Sequence, residues 1–458
     1  MTPGARIQAS IELLDAILDS WQSEKRFPAD KQIDMYFKSR RFIGSKDRAA
    51  IGELVYWVLR HKMSLAWWVK AGSSNETSAT LRNSLLNEST RISGRDYVLA
   101  ALMMRKNYDV HSIQNITKDG AHCPAPLTAE EGKMCGALHK QEFMHPDMPD
   151  YVRLNYPAWL TPHLKASFGD EFEQAVLALN EQAHTDLRVN TLKTTREELL
   201  ENLKAEGFDV SPCPRSPVGI RLAKRAPIFT SRHFKEGHFE VQDEGSQMVA
   251  QLVDAAPGMR VIDFCAGAGG KTLAIAAAMK NKGRVLAWDN SAKRLTQIKE
   301  RLKRSGVDTV ETHVIENEND QHIKRHKGTA DRVLVDAPCS GTGTWRRNPD
   351  LKWRFTLKDL EEVLAVQQSI LQSAARLVKP GGRLIYATCS ILKEENEQQV
   401  ERLLINLKDF RVVCAKKIWD KTSPASESDT VSYFRVAPHQ DGVDGFFAAI
   451  LERYSGQP

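Results

Sequence analysis

RVIDFCAGAGGKT, residues 260–272, decides the fold of this 458-residue chain. Val261, Ile262 and Phe264 favour a buried strand, three glycines follow within six residues, and an alanine-rich stretch suited to helix comes next. A strand that turns through glycines straight into a helix opens a doubly wound α/β sheet. Outward from it, apolar stretches at 285–288, 310–314, 333–335 and 384–387 read as strands. Helical patterns near 271–280, 291–304, 358–378 and 393–407 separate most of them, and 445–451 is a last strand candidate. The alternation predicts a mainly parallel sheet covered on both faces, with its domain spanning 241–458.

Upstream the texture differs. Ile7, Ile11, Leu14, Ile17 and Leu18, then Ile51, Leu54, Val55, Val58 and Leu59, recur at helical spacing. Ser45 reads as an N-cap, with Asp47 in the first turn behind it. From 107 to 165 prolines and glycines interrupt the periodicity and predict a linker with one short helix. Its His122, Cys123, Cys135 and His139 lack a close C-x-x-C pair, so no metal is assigned. Residues 186–240 read as a small mixed module: a strand at 187–189, a helix at 195–206, and strands near 208–210, Ile220 and Ile228. The predicted domains are 1–145, 146–240 and 241–458. The last residues before the final strand include a polar loop at 423–432.

Lys plus Arg number 64 against 58 Asp plus Glu, a net charge of +6, too mild to announce a polyanion partner alone. Locally the balance is sharper: Lys38, Arg40, Arg41, Lys46, Arg48, Arg60 and Lys62 face only Asp47 and Glu53 within 36–65. Arg221, Lys224, Arg225, Arg232 and Lys235 form a second basic cluster. Both fit phosphate contacts or a solvated face. Trp57, Trp67 and Trp68 read as helix packing rather than base-stacking platforms. Seven cysteines are too few and odd in number for a disulfide scaffold, and no apolar run reaches membrane length. With Arg6, Glu12 and Asp15 breaking the apolar N-terminus, the expected location is the cytoplasm.

The glycine turn fails two cofactor patterns. A phosphate-binding loop needs Gly where Cys265 stands, although Gly270, Lys271 and Thr272 match; the dinucleotide pattern lacks its third Gly. S-adenosylmethionine asks only for an open glycine turn and an acid at the end of the second strand. Asp289 ends that strand, 22 positions after Gly267. An acid there accepts ribose hydroxyl protons, and it also suits the start of the next helix.

Strand 333–335 runs into Asp336-Ala-Pro-Cys339-Ser340-Gly341-Thr342-Gly343, and strand 384–387 into Thr388-Cys389-Ser390. Open parallel sheets bind ligands at the carboxyl ends of their strands, so both cysteines share an edge with the glycine turn. Paired thiols there suit methylation of a pyrimidine ring carbon. A thiolate adding to carbon 6 makes carbon 5 nucleophilic, an acid near ring nitrogen 3 assists, and a base later removes the carbon 5 proton. Proximity alone leaves open which thiol attacks.

These motifs resemble the NOP/Sun family of RNA cytosine-5 methyltransferases, in its bacterial ribosomal-RNA branch. The resemblance is carried by VQDEGSQ (241–247), DFCAGAGGKT (263–272), DAPCSGTG (336–343), RRNPDLKW (346–353), YATCS (386–390) and DGFF (444–447). LRVNTLKTTREEL (187–199) is similar to the start of that family's small RNA-binding subdomain, and FIGSKDRAAIGELVYWVLRH (42–61) to a helical domain related to NusB. The resemblance implies a Rossmann-like class I methyltransferase sheet, preceded by a small α+β RNA-binding subdomain and an all-helical N-terminal domain. It implies that Cys389 adds to carbon 6, that Cys339 assists product release, and that Asp336 and Lys271 lie at the base. Cys265, Ala266, Gly267, Ala268, Gly269, Gly270, Lys271, Asp289, Arg294, Asn317 and Asp336 would hold S-adenosylmethionine. Two positions depart from the family pattern: Gly267-Ala268 replaces Ala-Pro, and Asn317, between Glu316 and Glu318, stands where an acid is usual near the adenine. The implied partner is RNA, ribosomal first, with a monomeric chain and no membrane. Transfer RNA as substrate, or a non-catalytic assembly role, remain the alternatives.

Overall fold

Apolar residues at three- and four-residue steps fold the first part of the chain into helices. The computed structural model describes residues 1–23, 26–73, 80, 92–106, 108–117, 122–317, 320–419 and 433–456. By packing, the chain forms two compact units, Met1–Asn180 with Arg347–Thr356, and Glu181–Arg346 with Leu357–Pro458. In the helical unit, Ile7, Ile11, Leu14 and Ile17 line the buried face of helix Pro3–Ser20, and Ile51, Leu54, Val55, Val58 and Leu59 that of helix Ser45–Arg60. Each such side chain contributes roughly 1.5–3 kcal/mol on burial. Trp67 and Trp68 are buried in helix Lys62–Ser73, and Trp57 packs on His61 and Phe143.

Two expectations change here. Ser45 is the first helical residue and Gly44 the N-cap; Asp47 pairs instead with the amino terminus at 3.0 Å and Arg6 at 2.7 Å. The stretch expected as a linker is largely helical among its described residues, with helices Val110–Ile116, Ala129–Leu138, Asp150–Arg153 and Thr161–Phe168. Some of its prolines start helices rather than break them: Pro149 is an N-cap and Pro162 lies in a first turn, where a missing N–H costs nothing. Helix continues through Phe172–Leu179. Residues 347–356, within the RRNPDLKW motif region, also pack in this unit: Asp350 accepts the Ala29 amide at 3.1 Å, and Trp353 donates to the Leu59 carbonyl at 2.6 Å. His122, Cys123, Cys135 and His139 do not gather as a metal-ligating group among the described residues.

The second unit holds two sheets. The smaller comprises β1 (Thr185–Val189), β2 (Val210–Pro212), β3 (Gly219–Leu222) and β4 (Phe239–Val241), in the antiparallel order β2-β3-β1-β4. Helix Arg196–Ala205 covers it through Leu199, Leu200 and Leu203. The strand expected near Ile228 is a 3-10 turn, because Pro227 fixes its entry and lacks a donor for a ladder.

The larger sheet comprises β5 (Arg260–Asp263), β6 (Arg284–Asp289), β7 (Val310–Val314), β8 (Ala330–Asp336), β9 (Val378–Thr388), β10 (Phe410–Val413), β11 (Phe434–Val436) and β12 (Phe446–Arg453). Its order is β10-β12-β9-β8-β5-β6-β7, with β11 paired to β12. β9, β8, β5, β6 and β7 are mutually parallel and β12 is antiparallel to β9. Strand order reverses at β5, so the carboxyl ends of β5, β6, β8 and β9 frame one crevice. The sequence did not announce β10 and β11, short strands at the antiparallel edge. The loop expected at 423–432 lies outside the described residues.

Candidate active site

The glycine turn is shaped by positive φ at Gly267 (56°) and Gly269 (81°). A Cβ on Gly269 would meet Ile298 at 2.9 Å, whereas Gly267 faces open space within 4 Å. Arginines from outside the turn hold its carbonyls: Arg301 donates to Ala268 at 2.6 Å, and buried Arg188 of β1 donates to Gly270. Burial draws the Arg188 guanidinium down to about 10. Ala266 donates its amide to the Trp288 carbonyl at 2.9 Å, tying the turn to β6.

Asp289, at the end of β6, is buried and already engaged. Its Oδ2 accepts the Gly267 amide at 2.9 Å, and its Oδ1 accepts the Ser291 amide at 2.8 Å and the Arg294 guanidinium at 3.0 Å. Three of about four acceptor positions are taken, so the carboxylate is not free for two ribose hydroxyls as expected from its place in the sequence. Arg294 is half-exposed, so swinging it away opens Oδ1. Ile315 donates to the Asp289 carbonyl at 3.1 Å, which brings the segment carrying Glu316 and Asn317 alongside; Glu318 lies outside the described residues. Burial pushes the Cys265 thiol well up, aided by Asp263, Asp336 and Asp289.

Asp263, closing β5, is a functional candidate that the motif patterns do not single out. Burial raises its carboxyl to about 7 against the Thr272 hydroxyl, which donates to Oδ2 at 2.7 Å, with Asp336 and Asp289 adding negative field. Its Oδ1 is buried and has no hydrogen-bond partner among the described residues. Three carboxylates and one ammonium thus surround this crevice.

That ammonium is Lys271, in the first turn of helix Gly270–Ala278, whose Nζ donates to Asp336 Oδ2 at 2.7 Å. Burial pulls Lys271 down, but Asp336 more than restores it and Cys389 adds to the effect, so it stays charged. The two partly exposed thiols, Cys339 beyond β8 and Cys389 beyond β9, lie with Sγ atoms 3.4 Å apart. The contact with Cys389 and then burial hold the Cys339 thiol well above its ordinary value. The loops are locked together: Gly343 donates to the Cys389 carbonyl at 2.9 Å and Gly445 to the Gly343 carbonyl at 2.8 Å. Gly445 belongs to the DGFF motif, which is thereby tied to the Cys339 loop just before β12.

The basic clusters divide. Arg221 is committed to Asp186 at 2.8 Å and buried Glu244 at 3.0 Å, so it is structural, while Lys224, Arg225, Arg232 and Lys235 are exposed. In the helical unit Arg40 lies over Tyr36 and 3.5 Å from Glu12, and Arg48 donates to the Ile43 carbonyl. Arg41, Phe42 and Lys46 face solvent, Phe42 at 79% exposure. No helix among the described residues is long and apolar enough to cross a membrane.

Comparison with known proteins identifies the family. The family model described as "16S rRNA methyltransferase RsmB/F" matches residues 250–452, and an RsmF/B-like ferredoxin-like domain matches 156–229. The chain is 30% identical to ribosomal RNA small subunit methyltransferase B of Pectobacterium atrosepticum over 90% of its own length and 92% of that protein's. It is 35% identical to the probable methyltransferase B of Synechocystis, over 65% of this chain and 67% of that protein. The crystal structure of PH0851 superposes at a TM-score of 0.72 with 28% identity, covering 99% of both chains. The large sheet is accordingly the Rossmann-like sheet of methyltransferases, and the chain belongs to the RsmB/F family of 16S rRNA methyltransferases.

Proposed function

We propose that this chain methylates carbon 5 of a cytosine in small-subunit ribosomal RNA, using S-adenosylmethionine and a transient bond from Cys389 to carbon 6. The observation that carries the reading is the thiol pair, Sγ to Sγ 3.4 Å, beside the Lys271–Asp336 pair at 2.7 Å. A methyltransferase that acts on oxygen or an amine has no need of two thiols at the carboxyl edge of its sheet. The names of the relatives supply the ribosomal RNA.

The residues present fit the cofactor. The open side of Gly267, the unpartnered Oδ1 of Asp263 and the anionic surroundings suit a ligand carrying a sulfonium and an ammonium charge. Residues 265–271 would hold its amino-acid part, and Asp289, with Arg294 displaced, its ribose; Asn317 would hydrogen-bond the adenine. When bound, S-adenosylmethionine supplies an electrophilic methyl group.

The chain's own residues supply the rest. Cys389 Sγ, as thiolate, bonds to carbon 6, and the charge this pushes toward ring nitrogen 3 is stabilised by a proton offered by the Lys271 ammonium, which the Asp336 carboxylate anchors. Lys271 keeps Asp336 oriented and offers its remaining protons to the base. After carbon 5 carries its methyl group, its proton leaves to a base, the ring double bond re-forms, and the bond from Sγ to carbon 6 breaks. Cys339, within contact of Cys389, assists that release.

Cys389→Ala is expected to lose methyl transfer and any covalent protein–RNA species. Cys339→Ala is expected to methylate and then stall, leaving a band that survives denaturing electrophoresis on RNA already bearing the methyl group. The reverse pattern would falsify the assignment and make Cys339 the nucleophile. Bisulfite sequencing of cellular RNA with and without the gene names the target: one lost site in small-subunit rRNA supports the substrate, and a lost site in tRNA moves it.

A further inference from the structure

One buried charge at the thiol pair has no part in these steps. Glu395 is fully buried, at 0% exposure. Its Oε1 accepts the Ser340 amide at 2.8 Å and the Gln367 side-chain amide at 3.0 Å; its Oε2 meets the hydroxyls of both Ser340 and Ser390. Ser340 directly follows Cys339, and Ser390 directly follows Cys389. A single carboxylate is therefore bonded to the neighbour of each thiol. Gln367 also donates to the Pro338 carbonyl at 2.9 Å, on the other side of Cys339, and the Tyr386 hydroxyl donates to the Glu395 carbonyl, anchoring the group to β9. Thr342 and Ser390 close the ring, hydroxyl to hydroxyl, at 3.0 Å.

Four acceptor positions are thus filled by neutral donors, and none of these contacts is a cation. Burying a carboxylate this way costs several kcal/mol relative to apolar packing, and good hydrogen bonds recover only part. A core that needed only stability would not require it. A carboxylate does what an apolar residue cannot: it fixes two loops through directional bonds to both.

We propose that Glu395 is a positioning residue for methyl transfer, a clamp that holds the loops of Cys339 and Cys389 so that their sulfurs stay within contact. The inference rests on the reading that both thiols take part in the reaction. Burial raises the Glu395 carboxyl while Ser340 and Ser390 pull it back, and its charge adds to the forces keeping Cys339 protonated. The clamp therefore also helps Cys339 keep its proton beside Cys389.

The test reads the thiol spacing independently of catalysis. Phenylarsine oxide condenses with two adjacent thiols, forming two arsenic–sulfur bonds and releasing one water, and it binds poorly to thiols held apart. Its affinity is measured on the full chain, with Cys389→Ala as the control that must lose it, beside single-turnover methylation and calorimetric cofactor binding. Glu395→Ala is expected to weaken arsenical binding at least tenfold and slow methylation at least thirtyfold, with cofactor affinity unchanged. Glu395→Gln, which can still accept the Ser340 amide and bond both hydroxyls, is expected to restore both to within about threefold. In a Cys389→Ala background, Glu395→Gln is expected to move alkylation of Cys339 to lower pH, a change that mere loosening does not produce. If Glu395→Ala does not fold, Glu395→Asp, one methylene too short to reach both loops, is expected to show the same tenfold loss. Wild-type arsenical affinity in Glu395→Ala or Glu395→Asp overturns the clamp. Should Cys389→Ala remain an active enzyme, the covalent reading fails while the arsenical result still judges the clamp.

Discussion

The two halves of this crevice are built on opposite plans. The cofactor turn leaves its inner side open: Gly267 meets nothing within 4 Å, and its anchors, Arg188, Arg301 and Asp289, grip the backbone from outside. The thiol site is braced on every side, with Gly343 and Gly445 backbone to backbone and Glu395 under both loops. A ligand that must enter and leave each cycle suits an open turn. Two sulfurs that must act in sequence on one ring suit a rigid frame, where a misplacement of about 1 Å costs on the order of a hundredfold in rate.

The sharpest way to break the contrast is Gly343→Ala. A Cβ there would lie 2.2 Å from the Gly445 carbonyl oxygen, and neither backbone has room to give. Overpacking of this kind costs about 1–3 kcal/mol and displaces one cysteine loop. Single-turnover methylation is expected to fall at least about a hundredfold, while calorimetry finds cofactor affinity near wild type. Equal loss of both would mean that the two halves are one rigid body.

Asp289→Ala addresses the other half. It removes the acceptor for the Gly267 amide and for a ribose hydroxyl, worth about 2 kcal/mol together, so cofactor affinity is expected to fall about thirtyfold. At saturating cofactor the rate should recover. Unchanged affinity in a folded variant would take Asp289 out of the site.

How much of this could be read from sequence follows the same division. Strand and glycine signals located β5 to β9 and the cofactor turn, because buried parallel strands are continuous apolar runs. Both cysteines could be found because each lies within three residues of the end of such a strand. β10 and β11 could not, since Phe410–Val413 and Phe434–Val436 hold only four and three residues, too few to show a strand period. Nor could the braces. Glu395 sits in Lys-Glu-Glu-Asn-Glu and looks like any solvated acid; only the fold shows that one of these is buried at 0% exposure. Nothing in the sequence marks Arg188 or Arg301 as an anchor of the glycine turn, and Arg221 sits in a basic run that suggests an RNA surface although Asp186 and Glu244 consume it. The proline-rich stretch misleads because proline marks helix starts as well as breaks.

A third effect is smaller and concerns pH. The Asp263 carboxyl is raised to about 7, chiefly by burial. An acid raised in the folded state stabilises the fold fully below about pH 4 and loses that contribution as pH climbs through its folded value. A bound cation favours the ionised form, so cofactor binding releases a proton and affinity rises with pH between about 6 and 8, by at most about tenfold per unit. Asp263→Asn is expected to flatten that dependence. A flat wild-type profile would put Asp263 outside the cation's reach, and the open turn would then hold its ligand without it.

Neither half of the crevice is assigned the RNA backbone. The phosphates must then be held by exposed cations elsewhere, of which Arg41, Lys224 and Arg225 are candidates. Removing one phosphate-binding cation should reduce the slope of log affinity against log salt by about 0.7 for single-stranded RNA. Arg41→Glu, Lys224→Glu and Arg225→Glu are each expected to do so, with methylation at saturating RNA unchanged. Arg40→Glu should do less, because Arg40 already faces Glu12 at 3.5 Å and lies on Tyr36. Arg221→Glu should instead lower the melting temperature, since it would leave Asp186 and Glu244 buried without their cation. A salt slope untouched by the first three variants would return those residues to a solvated surface and shift the search for the RNA grip to Arg232 and Lys235, which are also exposed.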